Sequence, residues 1–267
     1  MPAMTADTAY SINVLGDFCG IRDVEALTAD SLQSKYGIGQ ADVMVLFGGS
    51  ILNGGDIFAH AIKNKIAKKY IISGGVGHTT DALRKKVHKE YPSIITDGLT
   101  EAEIFSRYLS SLYGVKADYL ETKSTNCGNN ITFLLDLLKE KGTAFRNIIL
   151  CQDAAMQRRM EAGLRKYVSD DILIINYAAY KANVITDKNR LIYSSEMHGM
   201  WDIEKYISLL MGEIPRLSDN TEGYGPAGKN FIAHVDIPKE VEKAFERLKA
   251  TYGDYIRKAD PLYSSSR

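Results

Sequence analysis

No stretch of the chain approaches the roughly 18 consecutive apolar residues that a membrane-spanning helix requires. The opening residues Met1-Pro2-Ala3-Met4-Thr5-Ala6-Asp7 carry no basic segment ahead of an apolar one, so no secretory leader is read there. Neither sign of charge dominates. The 33 basic and 33 acidic side chains leave no net charge, which removes the usual electrostatic reason to bind nucleic acid or an anionic membrane. Cysteine is scarce: Cys19, Cys127 and Cys151 are odd in number, far apart and without a C-x-x-C pair. That pattern argues against a disulfide framework and a thiolate zinc site, and for reduced thiols. The five histidines show neither H-x-x-x-H nor H-E-x-x-H spacing, so no metal site is expected. The glycine-rich turns at 48–50 and 73–78 are not G-x-G-x-x-G, and the chain has neither G-x-x-x-x-G-K-[ST] nor the G-x-S-x-G nucleophile elbow. There is no internal repeat, and the one biased segment is Ser264-Ser265-Ser266. The expectation is a cytoplasmic protein with a small-molecule ligand, no nucleic acid partner and no membrane insertion; the sequence does not give its oligomeric state.

The 267 residues suffice for one large domain, or a main domain with a smaller companion. Residues 8–38 have apolar positions at mixed three- and four-residue spacing, broken at Asp30 and Ser31, and read as helical. From Asp42 the texture changes. Val43-Met44-Val45-Leu46-Phe47 is too short for a helix and apolar throughout, which fits a strand buried on both faces. A helix with Asp56 at its start follows, then Tyr70-Ile71-Ile72 as a second strand and a Lys-rich stretch ended by Tyr91-Pro92. Thr100 caps the next helix and Glu103 completes a capping box. Residues 118–121 and 147–151 read as strands and 153–167 as a helix, with Ile172-Leu173-Ile174-Ile175 the last strand.

This alternation predicts an α/β fold: a Rossmann-like, doubly wound, mainly parallel five-stranded sheet, with a small helical second domain. Residues 40–185 form the sheet domain, and 1–39 plus 186–267 the helical one, with a helix over 200–211, a Gly/Pro loop over 212–229 and a last helix over 238–252.

Two glycine-rich turns dominate the sheet domain. Leu46-Phe47-Gly48-Gly49-Ser50 and Ile71-Ile72-Ser73-Gly74-Gly75-Val76-Gly77-His78 each follow a strand and precede a helix. Glycine lets a ligand approach the main chain, and free N–H groups at a helix start favour an anionic or strongly polar guest. Other chemistry-bearing residues fall at the same topological place: Glu101, the run from Ser124 through Thr125, Asn126 and Asn130, and Gln152, Asp153, Arg158 and Arg159. Many have a second explanation. Glu101 in a first helical turn is stabilised by the helix dipole, Asn126 and Asp153 suit helix caps, and His78 is either a proton-transfer group or a donor to a backbone carbonyl. One of Arg158 and Arg159 faces solvent and the other is placed to reach a carboxylate or phosphate. The candidate ligand-binding set is Gly48, Gly49, Ser50, Ser73, Gly74, Gly75, Gly77, His78, Glu101, Thr125, Asn126, Asn130, Gln152, Asp153 and Arg159.

These motifs together resemble the YdcF-like proteins, a bacterial family of undefined role distantly related to the envelope-associated SanA and ElyC proteins. The resemblance continues through Gly212-Glu213-Ile214-Pro215-Arg216-Leu217, Gly223-Tyr224-Gly225-Pro226 and His234-Val235-Asp236, and so covers most of the chain. Two positions depart from the broad pattern: Asn129 replaces a glutamate, and Met156 replaces the usual histidine. Both changes remove groups on which hydrolytic chemistry would draw. The Met156 arrangement is similar to the YdcF branch, and this implies S-adenosylmethionine as ligand. Backbone amides and Arg159 would hold its carboxylate, Glu101 or Asp153 its hydroxyls or amino group, and apolar walls its adenine. No methyltransferase motif is visible. The alternatives are a hydrolase or transferase acting on a phosphorylated or nucleotide substrate, and a regulator of cell-envelope physiology.

Overall fold

In the computed structural model, which describes residues 6–49 and 51–256, the central sheet has five parallel strands. They are β1 (Ala41–Phe47), β2 (Ala67–Ser73), β3 (Tyr119–Glu121), β4 (Asn147–Cys151) and β5 (Leu173–Asn176), in the order β3-β2-β1-β4-β5. All neighbouring pairs are parallel. The fold is therefore α/β and Rossmann-like, as the strand and helix alternation predicts.

The apolar run 43–47 supplies both faces of β1. Val43, Val45 and Phe47 turn to one side, where Ile131, Leu134 and Leu138 of α6 (Cys127–Glu140) and Met160 and Leu164 of α7 (Gln157–Arg165) cover them. Met44 and Leu46 turn to the other side, against Phe58 of α3 (Leu52–Lys63) and Phe105 and Tyr108 of α5 (Glu101–Tyr113). Period-2 alternation with both faces buried is what a central parallel strand requires. The helix α4 (Thr80–Glu90) packs on α5.

The remaining α-helices lie toward the two ends of the chain: α1 (Ala6–Cys19), α2 (Ala29–Tyr36), α8 (Ile203–Leu217) and α9 (Lys239–Tyr252). Their buried residues, among them Ile12, Leu15, Tyr206, Leu210 and Leu248, belong to the same apolar cluster as Met44, Leu46 and Phe105. Residues 21–23 also pair with the end of β5, Arg22 opposite Tyr177 in antiparallel sense. No helix among the described residues is long and apolar enough to cross a membrane.

Several element boundaries differ from the sequence reading. The break in the first helical region falls at residues 20–28, and Asp30 and Ser31 lie in the first turn of α2, where the Thr28 side chain accepts from the Ser31 N–H. Helix α3 starts at Leu52 and takes in Gly54 and Gly55; a Cβ on Gly55 would stand 3.0 Å from the Phe105 ring. Close packing against α5 thus outweighs the low helix propensity of glycine. Helix α8 runs through Pro215 to Leu217. In its last turn the proline removes one backbone bond, and the Arg216 guanidinium donates to the Gly212 carbonyl. An antiparallel hairpin, β6 (Val184–Asp187) and β7 (Arg190–Tyr193), lies beyond β5, where the sequence reading has no strand. Its two turn residues, Lys188 and Asn189, have φ of 46° and 61°, the left-handed pair that a tight hairpin needs. The division at residue 185 falls inside β6, and Asn13 of α1 exchanges two hydrogen bonds with the Val184 backbone, at 2.8 and 2.7 Å.

Candidate functional site

The strand order reverses at β1. From β1 the chain builds outward to β2 and β3, then crosses by α6 to β4 on the other side of β1. In open α/β sheets ligand crevices form outside the carboxyl ends of the strands at such a point. Here that place is framed by Gly48-Gly49 after β1 and Gln152-Asp153 after β4.

Gly48 and Gly74 are needed because Glu101 is pressed between their turns. A Cβ on Gly48 would lie 2.5 Å from the Glu101 Cβ and 2.9 Å from its Oε2, and one on Gly74 would lie 2.9 Å from the Gly48 Cα. The start of α5 is held in this contact by its backbone. The Glu101 N–H donates to the Gly75 carbonyl at 2.9 Å and the Ala102 N–H to the Gly74 carbonyl at 2.8 Å. Glu101 is 5% exposed, and its Oε1 accepts from the Thr79 and Thr80 hydroxyls at 2.8 and 3.0 Å. Burial pushes its pKa up, while the two threonine hydroxyls and Arg84 pull the other way.

Across the turn stands Gln152, fully buried. Its side-chain Oε1 accepts from the Asp153 N–H at 2.6 Å, while its backbone is tied to Gln157 Oε1 and to the Ala179 N–H. With Oε1 so fixed, Nε2 presents its donors elsewhere, and it is a buried amide with no hydrogen-bond partner. It stands 3.8 Å from where a Gly49 Cβ would sit, with Thr79 Oγ1 at 3.7 Å and the Met156 Cε at 3.5 Å from the same point. None of these is a clash. Gly49 therefore borders a small space walled by an amide donor, a hydroxyl and a thioether.

The other expected residues are placed differently. Ser50 lies outside the described residues. Ser73 is buried and donates to Glu121 Oε2 at 2.9 Å and to the Asn130 carbonyl at 3.3 Å. Gly75 is packed under the loop after β3: its N–H donates to Ser124 Oγ at 3.0 Å, and a Cβ there would lie 2.1 Å from the Ser124 carbonyl oxygen. The Gly77 N–H donates to Thr80 Oγ1 at 2.7 Å, and His78 is exposed. Asn126 caps α6 by accepting from the Asn129 N–H, and its amide joins Thr125 and Asn129 in a small polar cluster. Asn130 is buried one turn further on.

Asp153 and Arg159 have partners within the fold. Asp153 is fully buried, and its carboxylate accepts from Tyr180 Oη at 2.8 Å, the Ala155 N–H at 2.9 Å and Trp201 Nε1 at 2.6 Å. Burial pushes its pKa up to about 6 against the pull of those bonds. Arg159 makes a bidentate pair with Glu213 of α8, at 2.5 and 2.9 Å. Neither arginine of the pair faces solvent as the sequence reading has it: the Arg158 guanidinium lies 4.1 Å over the Phe18 ring and donates to the Phe18 carbonyl. Of the groups on which a phosphate-processing site would draw, Ser73, Arg158 and Arg159 each make at least one bond within the fold.

Sequence reasoning missed Thr79, Thr80, Trp201 and the hairpin-to-α8 segment. The two threonines follow the Gly-Val-Gly-His turn directly, so a search for donors to a buried Glu101 would have found them. An open hollow of about 820 Å³ is lined by residues 193–198, 200 and 201, and the glycine turns do not line it. No family model matches the chain.

Proposed function

We propose that this chain is a cytoplasmic, YdcF-like small-ligand-binding protein, and that its ligand sits in the crevice between the Gly48-Gly49 turn and Gln152. One observation carries the reading: the donor-bearing Nε2 of a fully buried glutamine is unpartnered and faces Gly49 at the point where the strand order reverses. A buried amide of this kind calls for an acceptor on the guest, since leaving it unmet costs about 1–3 kcal/mol. Glu101, walled in by Gly48 and Gly74, offers carboxylate oxygen to a donor on the same guest. S-adenosylmethionine, which carries a carboxylate, an ammonium and ribose hydroxyls, meets both demands, and the family resemblance supports it. Nucleotide-like ligands share the hydroxyls and the acceptors.

Titration calorimetry with S-adenosylmethionine, and with ATP in parallel, tests the proposal on the wild type and two variants. Gly49→Ala has room for its methyl group, so it should keep the wild-type circular dichroism and unfolding midpoint while losing binding heat. Gln152→Leu should weaken binding about tenfold, the value of one hydrogen bond to a charged acceptor. Absence of heat for both ligands at near-millimolar concentration in the wild type, or equal heats in wild type and Gly49→Ala, overturns the reading.

A further inference from the structure

Residues 194–201, which link β7 to α8, lie across the carboxyl end of the sheet and are held at both sides of the crevice. On the β1 side the His198 carbonyl accepts from the Asn53 N–H at 3.1 Å, and Gly199, at φ 73°, is pressed against Leu52. On the β4 side Trp201 Nε1 donates to Asp153. Between them Lys86 of α4 donates to the Gly199 and Met200 carbonyls. The segment thus spans from the first turn of α3 to the residue that follows Gln152.

His198 is the one ionisable side chain of this segment set between two carboxylates. Its Nδ1 lies 2.6 Å from Asp56 Oδ2 on α3, and its Nε2 lies 3.0 Å from Glu90 Oε2 on α4. The Tyr91 hydroxyl stands 3.3 Å from Nε2, and Tyr108 and Tyr113 of α5 donate to Asp56 Oδ1. Only the imidazolium has a proton on each nitrogen, so only that form donates to both acids at once. The neutral ring keeps one bond and turns a lone pair toward the other carboxylate.

We infer that residues 194–201 form a strap that closes the crevice, with His198 as its proton-operated catch, shut while the imidazole carries both protons. The inference rests on the ligand-site reading for what the strap encloses, but the catch itself is read from the bonds of His198 alone. Partial burial lowers the His198 pKa, and the bonds to Asp56 and Glu90 outweigh it, so the net shift is upward. The catch therefore contributes fully below the ordinary histidine value of about 6.5 and is lost as pH rises through the higher folded value. Lys86 and the Asn53 bond hold the strap independently of this proton.

Trp201 is the single tryptophan of the chain, so acrylamide quenching of its fluorescence reads strap opening without any ligand. In the full-length wild type, quenching should rise about twofold from about pH 6.5 to about pH 9, as a minor open state becomes a major one. In His198→Gln it should be high and flat from about pH 7 upward, above the range in which Asp153, the partner of Trp201, ionises. Glu90→Gln, which keeps the Asp56 bond, should fold and move the midpoint to lower pH. A flat wild-type profile, or the same rise in His198→Gln, overturns the inference. Failure of the crevice reading would appear separately, as absent binding heat with the quenching titration intact.

Discussion

Arg159 stands where a phosphate or carboxylate ligand would want a guanidinium, in the first turn of the helix after β4, yet it serves the fold. Its side chain is 12% exposed and that of Glu213 is 5% exposed. The pair joins α7 to α8 with two parallel N–H···O bonds. Arg159→Ala would leave Glu213 buried and unpaired, an arrangement that costs about 3–5 kcal/mol. Urea unfolding should show that loss as a lower midpoint with an unchanged slope. A midpoint within error of the wild type would mean that the pair contributes nothing. The same residue scale explains what could be read from sequence. The glycines at 48 and 74 and the acid at 101 were legible because each is tied to a strand end or a helix start. The orphaned amide of Gln152 was not, because its state depends on where Asp153 N–H, Gln157 and Ala179 lie, which no local pattern encodes.

Among the elements, those with strong local signals match the structure most closely. The Thr100-x-x-Glu103 box is formed in full: Thr100 Oγ1 accepts from the Glu103 N–H, and Glu103 Oε2 accepts from the Thr100 N–H at 2.8 Å. Because α5 carries Glu101 and its backbone contacts to Gly74 and Gly75, this cap also positions the acid of the crevice. Thr100→Ala should cost about 1 kcal/mol of stability by thermal unfolding. It should weaken ligand heats less than Gly49→Ala does, since Gly74 and Gly75 still hold the helix start. No loss of stability would show that the Gly74 and Gly75 bonds alone fix this terminus. The hairpin β6-β7 went unread for the opposite reason. Its strands are four residues long and place Ile185 and Ile192 outward at 40% and 39% exposure, so apolar alternation does not mark one buried face. The sequence reading ends α8 before Gly212 because glycine and proline read as punctuation, whereas burial of Met211, Ile214 and Leu217 carries the helix past them.

At the scale of the molecule, the terminal helices share one apolar cluster with the Met44 and Leu46 face of the sheet, while the opposite face has its own cluster with α6 and α7. Tyr206 of α8 reaches the backbone of α1, where a Cβ on Gly16 would lie 2.5 Å from its hydroxyl. Arg22 stacks 4.4 Å over Tyr177, Arg158 covers Phe18, and the Arg159–Glu213 pair crosses the same boundary. A unit made of 1–39 and 186–267 could not separate without exposing Ile12 and Leu15, both fully buried. Unfolding should therefore be one cooperative transition, with far-ultraviolet circular dichroism and Trp201 fluorescence giving coincident curves. Ile12→Ala, which empties a core site on α1 far from the crevice in sequence, should cost about 2–5 kcal/mol and shift both curves together. If the dichroism curve split into two steps, or if Ile12→Ala moved only one probe, the ends of the chain would form a separately stable unit. The strap would then be anchored on an element able to move away from the sheet, rather than on the same rigid core as the crevice it spans.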